Sequence, residues 1–303
     1  MTSSVSQPPK SDLKSRKRQD RFFIFAMLSP YLALLLFFGA APVGYALWLS
    51  FMDTIDWVFW GFTNYAFVLQ DFRLVEAIQN VFTYVAIWLT MMVLGISGLA
   101  LILDALNDRA ASFFRTSFFL PGAITSSAIV IVWLFLLDPI VSPYGSVFEL
   151  MGLETRREVV SHFGYPLIFS LMAYLAYSGG WIVVIGGALK GISGEVIEAA
   201  RVDGATQFQI ATLVKLPMVW RSIALMAILS FANGIQMFVE PQLMSLAGVQ
   251  YSRPDWSVNQ LAFQYAFNLG DFGASAAMSS MLLGIAIFIS LCVVFGTRFY
   301  KMD

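Results

Sequence analysis

Six stretches of this chain contain no Asp, Glu, Lys or Arg: 22–52, 77–103, 116–137, 159–189, 222–239 and 272–297. A helix needs ~20 apolar residues to cross about 30 Å of hydrocarbon. Each stretch is near or above that length, and the fifth extends past Glu240 to about Ser245. Backbone groups in lipid must pair internally, which leaves helices or closed barrels. The runs lack the period-two alternation of barrel strands. At 58% hydrophobic and 12% charged residues, the chain also lies outside the soluble range of roughly 45–50% and 25%. The reading is an all-α polytopic membrane protein. Its six transmembrane helices span about 22–50, 77–103, 116–137, 162–189, 222–245 and 272–297 within a membrane body of 22–303. Residues 1–21 read as a polar, basic, disordered tail near anionic lipid. A further uncharged run, 256–270, is short and rich in Asn, Gln and aromatics, and reads as interfacial.

Orientation follows from the cations. The N-terminus, the 104–115 and 190–221 loops and the C-terminus carry fourteen Lys and Arg, against four on the other side (Arg73, Arg156, Arg157 and Arg253). The positive-inside bias then places both termini in the cytoplasm of a plasma membrane. A single Cys292 and a single His162 exclude a disulfide framework, a Cys-based zinc site and His-cluster chemistry. A net charge of −1 does not mark a nucleic-acid binder. Cys292 reads as a packing residue, His162 as external and incidental, and Asp104 and Asp138 as solvated boundary residues. Pro30 and Pro42 are expected to kink the first span.

The 190–221 connection differs from the other loops. Ser193 is placed to cap a helix, with Glu195 in its first turn where the dipole favours an acid. Gly204 is placed to stop that helix in a positive-φ turn. A second helix follows from about Thr206 to Lys215, and Pro217 breaks it before the fifth span. The product is a two-helix hairpin projecting from the membrane. On periodicity alone it is also an ordinary amphipathic connector. Gly187 and Gly191, four apart, read as a close-packing pair.

The spacing carries more information. Glu198-Ala199-Ala200, then Asp203-Gly204-Ala205, then Val214, Leu216 and Pro217 closely resemble the EAA loop of bacterial ABC importer channel subunits, in its sugar-importer form. The resemblance covers about 60–301 and includes Gly61 to Tyr65, Leu120-Pro121, Leu137 to Pro139, Ser230 to Leu243 and Asp271 to Ala274. Ser193 and Arg221 stand where the family often has proline, and the family's Gly-Gly-Pro after the fifth span is absent near Leu246 to Gly248. The resemblance implies that Glu198, Ala199, Ala200, Asp203, Gly204, Leu216 and Pro217 dock on a cytoplasmic ATPase. It further implies an ATPase dimer, a second homologous permease subunit and an extracytoplasmic solute-binding protein as partners. ATP and Mg would sit on the ATPase, with no cofactor, metal or catalytic residue on this chain, and no phosphate-binding Gly-rich loop is present.

On the fifth span Asn233, Gln236 and Glu240 stand at i, i+3 and i+7, with Ser230 three residues earlier, so they share one helical face. Such a stripe faces a protein interior or a wet cavity, as interhelical hydrogen bonding or as solute contact. The resemblance places Ser230, Asn233, Gly234 and Met237, with Tyr177, Ser178 and Gly180 of the fourth span, where maltose-type channel subunits touch sugar. The implied function is a channel-forming permease importing a carbohydrate. The alternatives are a self-sufficient ion-coupled transporter, which needs intramembrane ionisable groups, and a membrane enzyme, for which no acid, His and Cys cluster is apparent.

Overall fold

The computed structural model describes residues 10–124, 126–248 and 253–296, with side chains from residue 23 onward. Five helices are long and apolar enough to cross a membrane: Phe23–Leu49, Phe72–Ala105, Tyr165–Lys190, Trp220–Leu246 and Phe272–Gly296. A bent pair, Asp108–Ala123 with Ser126–Leu136, turns through 101° and makes a sixth span where the two segments count as one. The expected straight span at 116–137 is therefore corrected to two segments. The 3₁₀ turn Leu120–Ala123 carries Pro121 and Gly122, which remove a backbone donor and lower helix propensity at the corner.

The first helix begins at Lys10, not at 22. Residues 10–21 contain neither Gly nor Pro, so a helix nucleated in the span propagates back through them. Residues 1–9 of the expected tail lie outside the described residues. Pro42 enters its helix just after the π-helical turn Leu36–Ala40. Pro217 likewise follows the π turn Ile210–Lys215. In both places the widened turn accommodates a ring with no N–H to donate.

The second, fourth and fifth spans share the main core. Trp88, Met92, Ile96, Phe169, Met172, Ile182 and Met226 are its largest fully buried side chains. A second cluster joins the start of the second span to the sixth through Val68, Leu74, Leu261, Tyr265 and Met278. Part of the run 256–270 thus packs inside the protein, while residues 267–270 are exposed. The helix Val258–Phe263 buries Val258, Gln260, Leu261 and Ala262 against the second and sixth spans.

The fourth span crosses the third at backbone contact. A Cβ on Gly122 would lie 2.6 Å from the Ala176 carbonyl, and one on Gly179 would collide with Phe118 O and Phe119 Cα. Gly187, expected to pack closely, has open space instead. The small-residue rule holds here, but at residues brought together by the bend. Cys292 is exposed, in the C-terminal half of the sixth span, where the helix buries no residue.

Candidate functional site

The two ends of the bundle are tied differently. At one end the hairpin leaves the fourth span. Gly194–Val202 forms its first arm, with Glu195 in the first turn, although Ser193 makes no side-chain cap bond. Gly204 takes φ +82°. Its N–H reaches Arg201 O at 3.0 Å, and Ala205 N–H reaches Ala200 O at 3.0 Å. These bonds close the helix on carbonyls that would otherwise be unpaired. Thr206 and Gln209 then form a reciprocal capping box. The second arm runs through Gln207–Gln209, the π turn Ile210–Lys215 and Leu216–Met218. It passes Pro217 and ends at Val219, where φ −99° and ψ 7° turn the chain into the fifth span.

The arms pack on each other, and Ile210 of the second arm is buried. Val202, Phe208 and Leu213 are 87%, 76% and 71% exposed. Glu198, Ala199, Asp203 and Gly204 are exposed and Ala200 is half-buried. Leu216 and Pro217 stand apart from these. They line an apolar groove of about 650 Å³ with Val93, Leu101 and Trp220, beside the second span.

An ion pair braces the hairpin: Lys215 Nζ lies 2.6 Å from Asp104 Oδ2, with the two side chains 21% and 12% exposed. Asp104 is thus a paired, mostly covered group and not a solvated boundary residue. Asp138 is similarly paired, with Arg156 at 2.6 Å. Sequence reasoning missed the Asp104–Lys215 pair because the residues are 111 positions apart.

At the opposite end Asp71 caps the second span, accepting from Arg73 N at 2.9 Å, Arg73 Nη2 at 2.8 Å and Tyr265 OH at 2.8 Å. Burial pushes its carboxyl upward, but the Arg73 and Tyr265 hydrogen bonds and the Arg73 charge outweigh this and hold it below the ordinary Asp value. Arg253 bridges Glu76 at 2.8 Å and Asp255 at 3.0 Å.

Between the ends, a cavity of about 280 Å³ opens among the second to fifth spans. Tyr177, Asn233, Gln236, Met237 and Glu240 line it together with Tyr84, Trp88, Ser126, Ala173, Phe238 and Val239. The expected single helical face is corrected. The fifth span is interrupted after Gly234 and restarts at Val239, with Phe238 at φ −144°, ψ −49°. Ser230, Gly234 and Met237 are buried, whereas Asn233 and Gln236 are exposed and Glu240 is half-buried. Gly234 is held against Trp88, whose ring a Cβ would meet at 2.7 Å. Asn233 Nδ2 and Gln236 Nε2 each donate to a carbonyl of their own helix at 2.9 Å. Ser178 is fully buried, and Gly180 lines a neighbouring pocket with Tyr177 and Gly122.

Tyr84 and Trp88 stack at 5.6 Å and 11°, and Tyr177 lies 6.2 Å from Trp88. These second-span aromatics were not picked out from sequence. Their i, i+4 spacing puts them on one face, but within an apolar span that pattern does not separate a cavity wall from a core.

No family model matches the chain. It is 26% identical to the diacetylchitobiose uptake permease protein NgcF of Streptomyces coelicolor, over 96% of this chain and 88% of that protein. It is 29% identical to the osmoprotective compounds uptake permease protein GgtC of Synechocystis, over 84% and 92%. Among solved structures, a bacterial alginate ABC transporter, determined with an alginate pentasaccharide-bound periplasmic protein, superimposes with TM-score 0.78 at 18% identity, over 93% of this chain and 96% of its own. The likeness to the curated proteins runs nearly the length of the chain, and the almost wholly helical architecture agrees. The chain is a multi-pass membrane protein, and over nearly its whole length it is similar to permease subunits of ABC transporters.

Proposed function

We propose that this chain forms half of the translocation path of an ATP-driven carbohydrate importer, and that its hairpin receives the drive from a separate ATPase. The observation that carries this reading is the hairpin itself. Two short helices are set at a fixed angle by Gly204, and exposed Val202, Phe208 and Leu213 stand beside Glu198 and Ala199. Apolar side chains this exposed on a braced, projecting element suit a protein partner. Small residues at Ala199 and Ala200 permit close approach, and Glu198 is free to meet a cation there.

In this reading the hairpin end is cytoplasmic, as are both termini, in a bacterial inner membrane. The opposite end receives solute from an extracytoplasmic binding protein, in keeping with the alginate transporter solved with its periplasmic protein. A second, homologous permease subunit completes the path. ATP and Mg reside on the ATPase dimer, and this chain is non-catalytic. The cavity among the second to fifth spans is the solute path. An aromatic face at Tyr177, backed by Trp88, and amides at Asn233 and Gln236 suit a polyhydroxylated solute. A packed hairpin with two discrete seatings would transmit ATPase closure to that cavity.

The test is Gly204→Asp in the assembled importer. The position has φ +82° and open space around it, so the substitution strains the turn and adds charge without a core clash. Membrane insertion should persist while solute uptake and solute-stimulated ATP hydrolysis fall by at least tenfold. Uptake at wild-type rate, or uptake driven by an ion gradient without any ATPase, would refute the proposal.

A further inference from the structure

We infer that Glu240 makes this path charge-selective, admitting neutral and amine-bearing glycans and excluding those that carry carboxylate or phosphate. The inference rests on the cavity being the solute path.

Glu240 is the cavity's one acid, and among the described residues no Lys, Arg or His lines it. The interruption at Phe238 produces this placement. The helix restarts at Val239 with Glu240 in its first turn. None of the ion pairs among the described residues includes Glu240. Tyr84 and Tyr177 line the cavity with it.

A solute in so small a space sits within several ångströms of that carboxylate. At an effective dielectric near 20, a second anion there is opposed strongly enough to weaken binding by about tenfold or more. A neutral glycan escapes this opposition and its hydroxyls donate to the carboxylate. An ammonium group gains the opposite charge and the Tyr177 ring face. The chemistry of this cavity therefore differs from what an acidic polysaccharide such as the alginate carried by the structural neighbour would require.

The experiment uses the complete importer, purified in detergent without its solute-binding protein, so that only the permease selects. Tryptophan fluorescence, which includes Trp88 in the cavity wall, is titrated with maltose, with the fully deacetylated glucosamine disaccharide and with cellobiouronic acid. The expected wild-type order is amino sugar tightest and uronate weakest, with the uronate at least tenfold weaker than maltose. The variants are judged by ratios between probes and not by absolute affinity. Glu240→Gln should bring the maltose-to-uronate ratio within about threefold, Glu240→Lys should invert it, and Glu240→Asp should keep it. A wild type that does not discriminate by charge overturns the inference, and so does a Glu240→Gln protein that discriminates as before. Either result leaves the path assignment standing if maltose still binds. No response to any probe refutes the path assignment itself, and the charge filter with it.

Discussion

Replacing Gly179 by alanine adds one methyl group at the point where the fourth span crosses the third. The added Cβ would stand 2.6 Å from Phe119 N and closer still to Phe119 Cα and Phe118 O, whereas ordinary contact begins at 3.4 Å. These are backbone atoms, which do not swing aside as side chains do. Relief requires the two segments to separate by about 1 Å. The same crossing holds Gly122 against Ala176 O, so the separation also loosens that contact. Overpacking of a close-packed interior costs about 1–3 kcal/mol, and the absence of compliant atoms puts this case in the upper half of that range. The control is Gly187→Ala on the same helix, where nothing lies within 4 Å and alanine is the better helix former. Thermal unfolding of the purified importer, followed by tryptophan fluorescence, should show a lowered midpoint for Gly179→Ala and an unchanged one for Gly187→Ala. Equal midpoints for the two variants, or a larger loss at Gly187, would refute the backbone-contact argument.

Other expectations follow from the paired charges. Lys215→Met leaves Asp104 mostly covered and unpaired, which should destabilise by about 3 kcal/mol and lower coupled ATP hydrolysis. The double variant with Asp104→Asn should recover at least half of the loss in a double-mutant cycle. Asp71 has its folded pKa below the ordinary value of 3.8, so its contribution to stability is complete above that value and disappears as pH falls through the folded pKa. Asp71→Asn should therefore lower stability at pH 7 and flatten the acid limb of a stability-versus-pH curve, measured by thermal unfolding between pH 3 and 7.

The existence of the spans was legible because charge is excluded from hydrocarbon, and the absence of Asp, Glu, Lys and Arg is a one-dimensional signal. The Gly204 turn was legible for a similar reason: a positive φ after a helix is a local demand that glycine meets locally. Local reasoning did less well where a proline sits in a helix. Pro217 signals a break, but the π turn before it accommodates the ring and the arm continues to Met218. On the Ser230–Glu240 stripe it was right in part, since Asn233, Gln236 and Glu240 line one cavity and Ser230 does not. Helical spacing joins Asn233, Gln236 and Glu240 on one face, and the interruption at 235–238 instead separates buried Ser230, Gly234 and Met237 from the exposed amides.

By itself, then, the order of residues determined the membrane-spanning class and the presence of a capped two-helix hairpin. Each depends on solvent or backbone preferences acting over a few turns. The tertiary structure decided which glycines touch, which charges pair and which aromatics wall the cavity. Gly122 meets the fourth span only because the third span bends, and Asp104 meets Lys215 only because the hairpin folds back onto the second. Those contacts depend on the relative placement of whole helices, set by packing across long sequence separations that periodicity along one helix does not encode.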